Sequence, residues 1–305
     1  MSDGLFEQVL NFPDPEAQER YAGLVGVDAT KERLEKEAEA MLRPDLLEKW
    51  SKEKHDHRIV ALDTLLKRAP LFVFAGDVGT GKTELAMSFG DRLARATNIE
   101  VELFSLSLRA RGTGLVGEMT TLISDAIRIF RTKCPKLPGH GKKPTAAALL
   151  LIDEADAIAQ SRELAQMHHE DRAGVNALIR GIDDIASSKL AGLIIMCTNR
   201  IDAIDPAIRR RAAAVFEFMR PNKELRTKLL AVKLSGTGLS EKDFSEIAGA
   251  MGESNDREYG YTCSDITQRF VPTLVLTAYP NHKITKALAL RIVDATPPSP
   301  PFAPQ

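Results

Sequence analysis

The apolar positions of this chain change their spacing once, at Pro221. Before it, unbroken apolar runs alternate with stretches whose apolar residues return every three or four positions. The runs are Leu71-Phe72-Val73-Phe74-Ala75, Ala146 to Ile152 and Leu193 to Cys197. A continuous run of this length, bounded by breakers, fits a parallel strand covered on both faces. Residues 100–106 read as a fourth, alternating strand and 214–218 as a fifth. Helical spacing predicts helices over 30–41 and 58–67, then from the first run's end to about 96, and over 116–131, 154–161, 171–186 and 205–211. After Pro221 every periodic stretch is helical, over 222–234, 240–250, 262–279 and 283–293.

Strands alternating with helices predict an α/β fold, a parallel five-stranded sheet sandwiched by helices, with a ligand at the carboxyl ends of the strands. The helical remainder predicts a small all-helical lid domain. The expected organisation is an extension over 1–20, too short for its own core. A large α/β domain over 21–220, a small helical domain over 221–294 and a proline-rich tail over 295–305 follow. Pro297-Pro298-Ser299-Pro300-Pro301 excludes helix and central strand, so that tail is expected to be extended and mobile. Residues 133–144, rich in Pro, Gly and Lys, read as a surface loop.

Charge removes some function classes. Among 305 residues, 41 Lys and Arg balance 42 Asp and Glu. The net charge of −1 supplies no basic field for nucleic acid or membrane. Cys134, Cys197 and Cys263 lie far apart, which argues against a disulfide framework or zinc site and fits a reducing cytoplasm. No apolar stretch reaches membrane-spanning length. Met1 to Asn11 carries two acids and no base, unlike a signal peptide. The expected localisation is cytoplasmic.

The chemistry is concentrated at strand ends. Residues 76–83 read Gly-Asp-Val-Gly-Thr-Gly-Lys-Thr, directly after the first apolar run. Gly76, Gly79 and Gly81 let the backbone curl tightly around a phosphate chain. The loop N–H groups and the following helix dipole favour an anion there. Lys82 would reach the outer phosphates, and the Thr83 hydroxyl would hold Mg²⁺. The most apolar run ends in Asp153-Glu154-Ala155-Asp156. Asp153 would hold the metal, and Glu154 would polarise the attacking water as general base. Two acids after a strand also cap helices; the phosphate loop about seventy residues earlier selects the catalytic reading. The third run ends in Thr198-Asn199-Arg200, placing Asn199 as a polar sensor of the terminal phosphate. Asp205-Pro206-Ala207-Ile208-Arg209-Arg210-Arg211 puts three arginines about 100° apart on one short helix, so they serve different neighbours.

Taken in order, 76–83, 149–156, 198–199 and 205–211, followed by a helical domain, resemble an AAA+ ATPase. The resemblance covers roughly residues 21–293 and includes Leu24-Val25-Gly26-Val27, similar to the segment that flanks the adenine. Within the superfamily the chain resembles the pachytene-checkpoint type, AAA+ remodellers of HORMA-domain proteins, and especially their short bacterial relatives in CBASS antiphage systems. That resemblance implies ATP or ADP with Mg²⁺, held by Val25, Gly26, Asp77, Val78, Gly79, Thr80, Gly81, Lys82, Thr83, Glu84 and Asp153. It implies a homo-hexamer with ATP sites shared between subunits. Arg210 is then first choice as the finger given in trans, Arg211 second, and Arg209 would contact its own domain. It implies a protein substrate drawn into a central pore, namely a HORMA-domain protein in complex with a nucleotidyltransferase. The remodeller would act there as a negative regulator of CBASS signalling.

Two positions depart from that pattern. Leu115 stands before Gly117-Glu118 where the pore loop usually has an aromatic, and Arg109 and Arg111 would share the grip. Ser264 stands where a second sensor arginine is usual, with Arg269 one turn on. Gln166 to Asp171 reads as a solvated second pore loop rather than a metal site. The alternatives are a nucleic-acid motor or loader of the same superfamily and a nucleotide-gated scaffold.

Overall fold

A computed structural model describes residues 4–107, 118–138, 143–157, 169–200, 202, 204–254 and 257–301. Two compact units emerge. The larger comprises 1–23, 29–75 and 83–217; the smaller comprises 24–28, 76–82 and 218–305.

The larger unit is built on a sheet with strand order β1-β3-β4-β5-β2-β6. The strands are β1 (Gln8–Phe12), β2 (Leu71–Gly76), β3 (Glu100–Ser107), β4 (Ala146–Asp153), β5 (Gly192–Thr198) and β6 (Ala214–Phe218). β3, β4, β5 and β2 run parallel, whereas β1 pairs antiparallel with β3. The α/β fold is the one the pattern predicts, with one strand more. The sixth strand comes from 8–12, inside the segment expected to be an extension. Gln8-Val9-Leu10-Asn11-Phe12 is too mixed to announce itself; Val9 is 46% exposed. Its anchor is tertiary. Phe12 is buried, and its ring lies where a Cβ on Gly90 would stand, 2.2 Å from Cε2. Phe6 packs on Phe104 with ring centroids 5.1 Å apart.

The central strands are buried on both faces, as their unbroken apolar runs require. Val73, Ala75, Leu150, Ile152, Ile194 and Met196 form one core with α6 (Glu118–Lys133) and α7 (His169–Ser187). The alternate set, Phe72, Phe74, Leu149, Leu151 and Ile195, is equally buried. The remaining helices of this unit are α1 (Pro15–Gly23), α2 (Asp28–Leu42), α3 (Pro44–His55), α4 (Ala61–Leu66), α5 (Lys82–Thr97) and α8 (Pro206–Arg211). Pro44 begins a helix. It occupies the first turn of α3, where its missing N–H costs nothing.

The smaller unit contains α9 (Lys223–Lys233), α10 (Glu241–Ala250), α11 (Val271–Ala278) and α12 (Lys286–Ala295) around its own core of Leu230, Ile247, Tyr261, Phe270 and Val293. The expected helix over 262–279 is instead a π-helical turn, Asp265–Phe270, leading into α11. Pro272 lacks an N–H, and its ring collides with the carbonyl four residues back, so the winding loosens ahead of it. The tail is not free at 299. The Ser299 hydroxyl and N–H both donate to the Asp265 carboxylate, at 2.6 and 3.1 Å.

Candidate functional site

Three parallel strands end on one edge of the larger unit. Ala75 aligns with Thr198, and Ile152 with Met196, so β2, β4 and β5 finish within two residues of one another. Asp153 is the last residue of β4, and Asn199 follows β5 directly. Parallel strands lie about 4.8 Å apart, which brings Asp153, Glu154 and Asn199 to neighbouring strand tips.

Glu154 has φ of +53°, a left-handed value that costs a side-chain-bearing residue about 1–2 kcal/mol. Strain of this kind is held where surrounding structure fixes the chain. The turn lifts Glu154 off the strand, and its N–H donates to Asp153 Oδ1 at 2.9 Å. Asp156 is a third acid of the same turn. It is buried and accepts from the Thr198 hydroxyl and the Asn199 N–H, both at 3.3 Å. It therefore ties the acidic turn to the expected sensor. The signal was the third residue after Asp153, and only the sheet order brings it to β5.

The chain leaves Ala75 through 76–82 and enters α5. Gly76, Gly79 and Gly81 have φ of 153°, 72° and 99°, which side-chain-bearing residues avoid. Space makes the same demand at two of them. A Cβ on Gly76 would stand 2.0 Å from the Phe218 carbonyl oxygen, and one on Gly79 2.8 Å from Ser264 Cβ and Thr262 Oγ1. Lys82 is buried, and its ammonium donates to the carbonyls of Gly76 and Asp77 at 2.9 and 2.7 Å. The Thr80 hydroxyl donates to the Asp77 carbonyl as well, at 2.7 Å. Val78 is exposed. Thr83 is exposed, so its hydroxyl can reach a ligand. Glu84 faces Arg20 across 3.7 Å. A backbone cradle free of Cβ atoms and a buried ammonium suit a phosphate chain. The hydroxyl of Thr83 and carboxylate of Asp153 are hard oxygen donors suited to Mg²⁺. Among the described residues, no cluster of three or more His, Cys, Asp or Glu side chains could hold a metal alone.

In the smaller unit, Val25 packs on the helical core, and Gly26 has φ of 81°. A Cβ there would lie 2.0 Å from Leu225 Cδ1, and the left-handed φ itself disfavours any side-chain-bearing residue. Ser264 donates its N–H to the Gly79 carbonyl at 3.0 Å. Arg269, one turn on from Ser264, pairs with Asp265 at 3.0 Å. Cys263 is a protonated thiol at neutral pH, because burial pushes it up to about 11.

The three arginines of α8 have different surroundings. Arg211, second choice for the finger, holds Asp183 of its own chain with Nε and Nη2, at 2.7 and 2.9 Å. That hydrogen-bonded carboxylate raises the guanidinium's pKa against the opposing effect of burial. Arg211 thus makes an intrachain contact of the kind expected of Arg209. Helical rotation explains it: Arg211 lies one turn beyond Ala207, whose carbonyl it also bonds. Arg209 and Arg210 are exposed. Leu115, Arg109, Arg111 and Gly117, together with 166–168, lie outside the described residues.

Residues 72–220 match the family described as ATPase family associated with various cellular activities (AAA). The chain is 50% identical over 300 residues to CD-NTase-associated protein 6 of Escherichia coli strain MS 115-1, covering 98% of this chain and 96% of that one. It is 36% identical to the namesake from strain KTE188, over 97% of each chain. Among solved structures it resembles a chain of the E. coli MS115-1 HORMA:CdnC:Trip13 complex, with TM-score 0.89 and 49% identity over 98% of this chain and 97% of that one. The Rhizobiales Trip13 structure matches with TM-score 0.76 and 39% identity, over 97% of this chain and all of that one. C. elegans PCH-2, at 17% identity and TM-score 0.64 over 94% of this chain and 73% of that one, shares the fold. With the glycine loop, the acidic strand tip and near full-length kinship in place, the chain belongs to the AAA ATPases, among the Trip13-like proteins that include CD-NTase-associated protein 6.

Proposed function

We propose that this protein hydrolyses ATP as a homo-hexamer and uses the cycle to remodel a HORMA-domain protein, releasing it from a nucleotidyltransferase and so restraining CBASS antiphage signalling. The observation that carries the reading is the near full-length likeness to a chain of the HORMA:CdnC:Trip13 complex.

Each residue has a task under this reading. Gly76, Gly79 and Gly81 keep the phosphate loop tightly curled, and Lys82 exchanges its loop carbonyls for phosphate oxygens. Thr83 and Asp153 would hold Mg²⁺, which when bound neutralises charge on the phosphate oxygens. Glu154 takes a proton from the attacking water, and Asn199 orients that water from the next strand. Val25 and Gly26 border the adenine. Arg210 reaches the ATP of a neighbouring subunit, where such a group is worth 10³–10⁵ in rate. Leu115, with Arg109 and Arg111, grips the substrate in the pore. No described helix is long and apolar enough to cross a membrane. A net charge of −1 disfavours the nucleic-acid motor.

The test is a trap. Glu154→Gln should bind ATP without turning it over and retain a HORMA-domain protein, with its nucleotidyltransferase, on an affinity resin under ATP but not under ADP. Equal capture in both nucleotides, or unchanged ATP turnover by Glu154→Gln, would refute the assignment.

A further inference from the structure

The phosphate loop contains one acidic residue, Asp77. A carboxylate there opposes binding of a polyanion unless its charge is neutralised. Arg220, just before Pro221, meets it: Nε and Nη2 both lie 2.6 Å from Asp77 Oδ2. The two side chains are only 16% and 17% exposed, so solvent screens the pair weakly. The rest of the guanidinium is used too. Nη1 donates to the Gly260 carbonyl at 2.6 Å, Nη2 to the Ser299 carbonyl at 2.8 Å, and the Tyr259 ring lies beneath at 5.0 Å.

Asp77 passes this grip inward. Its Oδ1 accepts the Val78 N–H at 2.8 Å, and its carbonyl receives the Lys82 ammonium. A second route joins the same segment to the loop. Ser299 bonds Asp265, which receives the Thr262 N–H at 3.0 Å, and Thr262 borders Gly79. Both routes lie within the smaller unit, which includes 76–82.

We propose that Arg220 is a positioning residue of the nucleotide site. It neutralises Asp77, fixes the carbonyl that aims Lys82, and ties the phosphate loop to the segment around Ser299. The inference rests on the reading of 76–83 as the phosphate-binding loop.

The experiment titrates the full chain with fluorescent ADP and measures steady-state ATP turnover for wild type, Arg220→Gln, Arg220→Lys, Asp77→Asn and the double variant Arg220→Gln/Asp77→Asn. Arg220→Gln should raise the ADP Kd about tenfold, as expected for losing a hydrogen-bonded charge partner. KM for ATP should rise in step and kcat should fall less. Arg220→Lys should recover part of the affinity, since it keeps the charge but not the planar fork. The deciding variant is the double: removing the Asp77 charge should restore most of the affinity lost in Arg220→Gln. A double variant as weak as Arg220→Gln, or a loss confined to kcat, would overturn the neutralising role. An unchanged Kd in Arg220→Gln, with wild type binding ADP, would overturn the inference alone. Wild type that binds no nucleotide would overturn the phosphate-loop reading and the inference together. Arg220→Lys keeps a cation in place, so it serves as the test if Arg220→Gln does not fold; wild-type affinity in Arg220→Lys would overturn the role of the fork.

Discussion

Alanine at position 90 should change its effect with the residue at position 12. Gly90 lies in α5, the helix that begins at Lys82, and faces the buried ring of Phe12. A Cβ there would stand 2.2 and 2.4 Å from two ring carbons, far inside contact distance. Such overpacking costs about 1–3 kcal/mol. Alanine is also about 1 kcal/mol better than glycine within a helix. Gly90→Ala alone should therefore be neutral to destabilising, by up to about 2 kcal/mol. Phe12→Ala alone should cost about 3–5 kcal/mol through the cavity it leaves. With the ring gone the clash is gone, and Gly90→Ala should stabilise by about 1 kcal/mol. The coupling equals the overpacking term, about 1–3 kcal/mol. Urea unfolding followed by Trp50 emission is suited to this, because the one tryptophan sits on α3 of the larger unit. Additivity of the two substitutions within about 0.5 kcal/mol would refute the placement of β1 against α5.

Three further outcomes are expected. Burial opposes the Asp265 charge, but the Ser299 hydroxyl and the N–H groups of Thr262 and Ser299 outweigh it, holding the carboxyl below its ordinary range. Its stabilising effect is then complete above the unfolded value of about 3.9 and is lost as pH falls through the lower folded value. Thermal melts by circular dichroism should show Asp265→Asn destabilised at pH 7 and flatter than wild type between about pH 5 and 2; parallel profiles would contradict this. Arg210→Ala should leave the melting temperature unchanged while ATP turnover falls by at least about 10³. Mixing it with Lys82→Ala subunits should restore some turnover if the finger acts in trans. Arg211→Ala should cost about 0.2–1 kcal/mol of stability, as a half-exposed pair does. Retained turnover in Arg210→Ala would transfer the role to another arginine.

Much of the candidate site's backbone geometry was legible because it is local chemistry. Glycines needed at positive φ, a lysine and a threonine in fixed order, and acids ending an apolar run are constraints within a few residues. The parallel sheet was legible for the same reason, since strands buried on both faces must be apolar throughout. Sequence alone therefore determined the α/β class, the glycines at positive φ in 76–82, the acids at the end of β4 and the helical character after Pro221. Distance in the chain hid the rest. β1 exists because Phe12 fills a gap left by Gly90, 78 residues on, and not because 8–12 has a strong strand pattern. Asp156 meets Asn199 because β4 lies beside β5. The structure gave the intrachain contact to Arg211 because Asp183 comes alongside its face of a short helix. Arg220 joins Asp77 across 143 residues of chain and Ser299 across 79. Ion pairs and carbonyl bonds of that kind carry no periodicity, so only the tertiary structure could place them.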